Sequence, residues 1–313
     1  MSIYITIDGG TTNTRINLVK DRQIIDNVKL SIGARSTIDN KDLLKNELKR
    51  SIHKLLEKNS LSEKDIKRVL ASGMITSEFG LYNLPHTLAP AGIVELNNNM
   101  HEVILSEITS VPFVFISGVK TISQDFESTD IMRGEETELM GIYDSCYGKC
   151  IYILPGSHSK IIKVDEKGRI YDFSTMLTGE MIAVLSQNTI LKDAVDLSVA
   201  QTNPEYLLKG YDYCKEVGIN QALFKTRILK NIFGKSKEDI YSFFTGVVLC
   251  NEIRQIINSD EQTVVLGGKT QLKNAMATIL QEKTDKKIII LDEKTVASST
   301  ATGAIKIFEK DGM

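Results

Sequence analysis

Residues 3–26, IYITIDGGTTNTRINLVKDRQIID, are echoed by residues 150–172, CIYILPGSHSKIIKVDEKGRIYD, at a constant offset of 146, as from Ile5 to Ile151. Without a gap, Ile7 meets Ile153, Gly10 meets Gly156, Thr11 meets Ser157, Ile16 meets Ile162, Leu18 meets Val164, Ile24 meets Ile170 and Asp26 meets Asp172. Each copy reads as strand, small polar loop, strand, tight turn, strand. Two meanders share apolar alternation by chance, but alternation does not produce a glycine and a hydroxyl at the same place in both loops. The repeat predicts two related domains facing each other with both loops at a cleft. That is the layout of a phosphate clamp, with backbone N–H groups aimed at anionic oxygens from either side.

The first loop is the hexad Asp8-Gly9-Gly10-Thr11-Thr12-Asn13. Its flanks alternate with the period of a half-buried strand, so a plain glycine hairpin is the simplest reading. That reading leaves the company of a carboxylate, two hydroxyls and an amide unexplained. Glycine lets the backbone approach a phosphate closely, and Thr11 and Thr12 add donors, so Gly10, Thr11, Thr12 and Asn13 are expected at phosphate. Asp8, at the strand end, is expected to hold Mg²⁺ directly or through water, because nucleotide-bound magnesium takes only one or two protein carboxylates. The pattern is neither the GxxxxGK[ST] loop nor GxGxxG, which disfavours both of those folds. In the second loop, LPGSHSK, the expected phosphate ligands are Gly156, Ser157, His158 and Lys160, with Ser159 as a further hydroxyl. Gly267-Gly268, between an apolar strand and a helix, would by itself be an ordinary turn; the repeat favours an adenosine site there.

The acid–base chemistry is sought in MRGEETELMG, residues 132–141. A hydroxyl attacking a γ-phosphoryl group gains from a carboxylate that takes its proton, which makes Glu135 and Glu136 the candidates. Carboxylates also suit a helix start through the macrodipole alone. Arg133 beside them could clamp a carboxylate or phosphate bidentately. Glu180, ending MLTGE, could cap a helix or touch a sugar hydroxyl.

The remaining segments supply the scaffold. Leu43, Leu44, Leu48, Ile52, Leu55 and Leu56 predict an amphipathic helix over 39–58 with Asp39 as its cap. Strands are expected at 67–73 and 113–118. A helix entered through Gly134 should bury Leu139 and Met140. Residues 263–280 read as strand, Gly-Gly, helix, and 295–308 as a closing helix rich in small residues. Lys+Arg 38 against Asp+Glu 40, with no long run of one sign, gives no reason to expect nucleic acid or an anionic membrane as partner. No apolar run approaches the roughly 20 residues of a membrane helix. The start runs into the first strand without a leader pattern, so a cytoplasmic location is expected. Cys146, Cys150, Cys214 and Cys250 form no CxxC pair and are expected as reduced packing residues.

Taken together, IDGGTTNTR, ASGMITS, IMRGEETELMG, LPGSHSKIIKV and FSTMLTGEMIAVL resemble the 2-dehydro-3-deoxygalactonokinase family, most specifically through the Arg-Gly-Glu-Glu and Pro-Gly-Ser-His-Ser-Lys stretches. The doubled meander and the Gly-Gly motif resemble the superfamily of actin, sugar kinases and the seventy-kilodalton heat-shock chaperones. The resemblance implies an α/β protein of two ribonuclease H-like (actin-like ATPase) domains with the nucleotide in the interdomain cleft. Residues 1–147 would carry the first phosphate loop and the acceptor site. Residues 148–313 would carry the second loop and the adenosine site, with the last helix packing back at the domain interface. The implied reaction is phosphorylation of the 6-hydroxyl of 2-dehydro-3-deoxy-D-galactonate by ATP with Mg²⁺, a step of galactonate breakdown, so the partner is a small sugar acid. The resemblance supports Asp8, Gly10, Thr11 and Thr12 at phosphate and magnesium and Ser157, His158 and Lys160 in the second loop. For the base it gives only the pair; Glu135 is taken as the base, with Glu136 as the alternative.

Two departures from the family bear on the acceptor. The family pattern has Asp-Trp-Gly where this chain has Asp8-Gly9-Gly10, and Ser117-Gly118-Val119-Lys120 replaces a Pro-Gly-Leu type of loop. A kinase for 2-dehydro-3-deoxygluconate, a phosphohydrolase of the same fold and a non-catalytic ATP-binding regulator or filament former are the competing readings; a homo-oligomer is left open. The absence of a DNA-reading segment before Tyr4 disfavours a repressor.

Overall fold

The computed structural model describes residues 2–37, 40–268 and 270–311. In chain order it runs β1 (Ile3–Gly9), β2 (Thr14–Lys20), β3 (Gln23–Leu30), α1 (Lys41–Lys58), β4 (Arg68–Gly73), β5 (Thr87–Leu88), α2 (Ile93–Asn98), β6 (His101–Val103), β7 (Phe113–Phe115), β8 (Val119–Lys120), β9 (Ile131–Met132) and α3 (Glu135–Ile142). It continues with β10 (Cys150–Leu154), β11 (Ser159–Val164), β12 (Ile170–Met176), α4 (Thr178–Asn188), α5 (Pro204–Val217), α6 (Ile219–Asn231) and α7 (Lys237–Ile257). β13 (Thr263–Leu266), α8 (Thr270–Lys283), β14 (Lys287–Ile290) and α9 (Glu293–Glu309) complete it. Two compact units result: Met1–Gly148 with Val164–Asp172 and Lys294–Met313, and Lys149–Lys163 with Phe173–Glu293. Residues 164–172 and the last helix therefore group with the first unit, whereas the sequence suggested one continuous second domain from 148 to 313.

Both units are built on the same sheet. The first has the order β3-β2-β1-β4-β7-β6, the second β12-β11-β10-β13-β14. β1 pairs antiparallel with β2 and parallel with β4, and β10 and β13 run parallel in the same way. The predicted meanders are thus the first three strands of each sheet. In the first unit Ile3, Ile5, Ile7, Ile16 and Leu18 pack with Leu44, Leu48, Ile52 and Leu55 of α1, the apolar stripe read from the helical spacing. Asp39, expected to cap α1, lies outside the described residues; Asn40 caps it, accepting from the Asp42 N–H at 3.1 Å.

β1 is not half-buried as its alternation suggested. Tyr4 and Thr6, on the other face, are each only 2% exposed. Tyr4 meets the Phe308 ring edge-on and donates its hydroxyl to Glu309 at 2.8 Å, so α9 covers the second face. α9 also packs on α3 almost backbone to backbone. A Cβ on Gly141 would lie 1.8 Å from the Ser299 carbonyl oxygen, and one on Gly303 1.8 Å from that of Thr137. This is the reason for the small residues in the closing helix.

The segment between α4 and β13 had no sequence expectation. Here Gly210 of α5 and Gly246 of α7 allow a similar close crossing, each facing a carbonyl oxygen of the other helix at 2.1 Å from its would-be Cβ. Cys150, Cys214 and Cys250 are buried as expected; Cys146 is exposed, because it falls in a short turn, Ser145–Tyr147, rather than on a core face. Among the described residues no helix is long and apolar enough to cross a membrane.

Candidate active site

In the first unit, three glycines bring β1, β4 and α3 together. Gly9 and Gly73 are register partners on the parallel strands. A Cβ on Gly73, whose φ is +83°, would stand 2.5 Å from the Gly9 carbonyl oxygen; one on Gly134, φ +113°, would stand 3.2 Å from the Gly73 Cα. Both positions need the left-handed backbone that glycine adopts without strain. The convergence sets the start of α3, with its run of carboxylates, beside the end of β1, which carries Asp8.

The result is a concentration of carboxyl groups. Burial pushes the Asp8 carboxyl up, and Arg15, its cross-strand partner, draws it back. Burial raises the Glu138 carboxyl to about 8, and the charges of Asp8 and then Glu135 push the same way. Asp8, Glu135, Glu138 and Arg15 therefore share one electrostatic neighbourhood. Glu138 was not singled out from the sequence; its signal was the three-residue spacing from Glu135, which puts both on one side of a helix.

Glu136 faces elsewhere. It is fully buried, both its carboxylate oxygens accept from the Gly134 N–H, at 2.9 and 2.8 Å, and the Thr137 hydroxyl donates to it at 3.0 Å. Burial, with the charge of Glu135, raises its carboxyl to about 8. This is a helix-start brace, so the alternative base read from the sequence is withdrawn. Arg133 is also committed. Its Nη1 donates to the Thr76 carbonyl and hydroxyl oxygens at 2.7 and 2.6 Å, and its Nη2 to the Leu84 carbonyl oxygen at 2.9 Å. The guanidinium braces a loop instead of offering a free bidentate fork. Glu135 accepts from the Arg133 N–H at 3.1 Å and stays partly exposed.

The two loops are held alike. In the first, Gly10 N–H donates to the Asn13 carbonyl oxygen at 2.8 Å, while Ala34 and Arg35 N–H donate to the Gly10 and Thr11 carbonyl oxygens at 3.1 and 2.9 Å. In the second, the Gly179 N–H donates to the Gly156 carbonyl oxygen at 3.1 Å and the Glu180 N–H to that of Ser157 at 3.2 Å. Gly33 and Gly179 fill equivalent places: a Cβ on either would lie 2.5 Å from the carbonyl oxygen of Gly10 or Gly156. They too are related by the offset of 146, a signal that the sequence reading did not extend far enough to use. With these carbonyls turned onto scaffold amides, Thr11, Thr12 and Asn13 in one loop and Ser157 and His158 in the other are exposed. Such loops suit anionic oxygens.

The second loop has further supports. His158 Nε2 and Glu180 Oε1 are 2.9 Å apart. Lys160, expected at the outer phosphates, is only 5% exposed and donates to the Thr175 hydroxyl at 2.7 Å, so its ammonium is turned inward. Beneath the loop sits Glu252 of α7, which no sequence signal announced. It is 2% exposed, accepts from the Thr178 hydroxyl at 2.7 Å and is also engaged by Ser159, whose own oxygen accepts from the Gly156 N–H at 3.3 Å. Burial lifts the Glu252 carboxyl to about 7, and the two hydroxyls pull the other way. Gly268, with φ +69°, lies against Pro155: its would-be Cβ is 2.7 Å from the proline Cδ and carbonyl oxygen, and the Gly267 N–H donates to the Ile153 carbonyl oxygen at 2.9 Å. The Gly-Gly pair and the second loop are thus brought together within one unit.

A family model described as 2-keto-3-deoxy-galactonokinase matches residues 8–302. A protein of Rhizobium meliloti (strain 1021), named a probable 2-dehydro-3-deoxygalactonokinase, is 25% identical over 200 residues, which cover 61% of this chain and 59% of that relative. The chain therefore matches less than two thirds of that relative's length. A crystal structure from Sinorhizobium meliloti bearing the 2-dehydro-3-deoxygalactonokinase name superposes with a TM-score of 0.79 at 19% identity, covering 99% of this chain and 97% of that one. The activator of the 2-hydroxyisocaproyl-CoA dehydratase from Clostridium difficile, solved with bound ADPNP, gives 0.52 at 15% identity, over 98% of this chain and 95% of the activator. At these identities the structures speak for the fold alone, which is the actin-like ATPase fold that the resemblance implied.

Proposed function

Because the chain belongs to the 2-keto-3-deoxy-galactonokinase family, we propose that it transfers the γ-phosphoryl group of ATP to the 6-hydroxyl of 2-dehydro-3-deoxy-D-galactonate, as a step of galactonate breakdown. The observation that carries this reading is the extent of the family match, from Asp8 in the acidic neighbourhood to Thr302 in the last helix, with both loops inside it. In the reaction the 6-oxygen bonds to the γ-phosphorus, the bond to the β-bridging oxygen breaks, ADP leaves, and the hydroxyl proton passes to a carboxylate.

The exposed Thr11–Asn13 and Ser157–His158 segments, with their carbonyls tied down by backbone amides, are the groups proposed to hold the phosphates, and Gly267-Gly268 to border the adenosine. Glu252, Gly33 and Gly179 act on the loops without being exposed to ligand. The proton is assigned to the Glu135–Glu138 pair, since a carboxyl lifted to about 8 by burial and then by the charge of Asp8 is matched to a hydroxyl proton near neutral pH.

Magnesium fits this site in one manner. Among the described residues no group of three or more His, Cys, Asp or Glu is placed to hold a metal ion, which disfavours an all-protein cage. Asp8, with Glu138 close enough to feel its charge, would hold a nucleotide-borne ion. Such an ion supplies positive charge to the phosphate oxygens.

The first test is ADP release from MgATP with 2-dehydro-3-deoxygalactonate, with 2-dehydro-3-deoxygluconate and with no acceptor. Acceptor-dependent release is expected, faster with the galactonate derivative; equal release without acceptor would replace the kinase by a hydrolase. Of Glu135→Gln and Glu138→Gln, one should keep nucleotide binding and lose turnover by about 10² to 10⁴. Full activity in both would remove the base assignment. Glu136→Gln should remain active, because Gln keeps an acceptor for the Gly134 N–H.

A further inference from the structure

The small sheet of the first unit places three basic side chains on one face. Thr87 of β5 is in register with Val119 of β8, and Val119 with Met132 of β9. One step away His86, Gly118 and Arg133 are therefore lateral neighbours, and one step to the other side are Leu88, Lys120 and Ile131. Alternation along each strand puts His86 with Leu88, Gly118 with Lys120 and Ile131 with Arg133 on the same face. Gly118 is what lets the imidazole and guanidinium meet across the central strand: a Cβ there would stand 2.8 Å from His86 Cδ2, and Arg133 Nη2 lies 3.4 Å from His86 Nδ1.

Among the described residues, the charges that act on His86 are positive, and Glu136 is the acidic group that acts on Arg133. Burial, then Arg133 and Lys120, lower the His86 imidazole to about 4, and no acidic group opposes them. Arg133 feels Glu136, but that carboxyl is itself raised to about 8. With Nδ1 toward Arg133, the neutral imidazole would carry its proton on Nε2, so Nε2–H and the Lys120 ammonium are the donors a ligand could use. The same face has an apolar component in the open: Leu88 is 54% exposed and Ile131 56%.

We propose that the His86–Lys120–Arg133 face is an acid-recognition site that takes a carboxylate with a methylene one carbonyl carbon beyond it, the 2-oxo-3-deoxy end of a sugar acid. The carboxylate sits on Lys120 and His86 with the Arg133 charge behind them, and the 3-methylene lies on Leu88 and Ile131. A 3-hydroxyl in that place would lose its water against the two aliphatic side chains without gaining a partner, so the face discriminates against the parent, non-deoxy acid. The identity of the acid rests on the kinase reading above; the chemistry of the face does not.

The test uses the full chain, with circular dichroism to verify each variant's fold. In isothermal titration the wild type should bind 2-dehydro-3-deoxygalactonate and give no heat with neutral 2-deoxy-D-galactose. Lys120→Met should weaken binding of the acid about tenfold or more, and Lys120→Arg should restore most of it. Leu88→Asn should narrow the preference for the 3-deoxy acid over D-galactonate. In turnover, Lys120→Met should raise the acceptor KM and leave that for ATP unchanged. Binding that behaves in this way without any acceptor-dependent ADP would uphold the site and fail the kinase reading. No heat with the acid in the wild type, or unaltered acid affinity in Lys120→Met, would overturn the site.

Discussion

Thr178 donates its hydroxyl to the Glu252 carboxylate at 2.7 Å, and the two residues are 4% and 2% exposed. Burial raises this carboxyl from the ordinary 4.5 to about 7, so the folded protein retains a proton that the unfolded chain releases at lower pH. Stability is undiminished below 4.5 and falls as pH rises toward 7 and through it, by about 3 kcal/mol in total. Glu252→Gln removes the titration, so its urea midpoint should decline less than the wild type's between pH 5 and pH 8. Parallel declines would show that Glu252 does not hold the proton.

Asp8 is expected to be kept for function at a cost to the fold. Burial raises the carboxyls of both Asp8 and Glu138, and Asp8→Asn removes the cost of burying one of them. The melting temperature should rise by roughly 2 °C, as for about 1 kcal/mol in a chain of this size. Acceptor-dependent turnover should fall at least about 100-fold, the scale on which removal of a charged active-site group is felt. Retained turnover, or a lower melting temperature, would contradict this account.

Gly9 is closed by its neighbour. A Cβ there would lie 2.7 Å from that of Ile75, which is itself 1% exposed. Gly9→Ala should therefore cost about 1–3 kcal/mol by overpacking, and Ile75→Ala about 2–5 kcal/mol by the cavity it leaves. Because alanine at 75 keeps the Cβ that Gly9→Ala meets, the cycle is closed with Ile75→Gly, beside which Gly9→Ala should cost less by at least about 1 kcal/mol. Strict additivity in urea unfolding would mean that the contact does not limit this position. Glycine at position 9 is thus tied to the packing of Ile75 in the turn that follows β4.

The doubled meander was legible because alternation and a small polar loop are local patterns, and an offset of 146 aligned them twice. The stripe of α1 was legible for the same reason. The roles within Glu135-Glu136-Thr137-Glu138 were not: adjacent glutamates look alike in sequence, and only the turn of α3 sends Glu136 back onto Gly134 while Glu138 comes under the charge of Asp8. Arg133 read as a clamp because its partners, the carbonyls of Thr76 and Leu84, carry no sequence signature. In α7 the run YSFFTGVVLC is buried on all sides, so it lacks the one-sided periodicity by which a helix is recognised. Glu252 follows that run and meets the second loop only through the tertiary fold.

α3 owes its close packing to Gly303 and Ser299 of α9, the last helix of the chain. On the ribosome, the acidic helix of the first unit would emerge long before the surface it rests on, and the second unit's whole sequence would be made in between. Vectorial synthesis ordinarily lets the amino-terminal part of a protein fold first. Here the unit that begins earlier is completed only after the second unit has been made, and the carboxylates assigned to chemistry wait for α9.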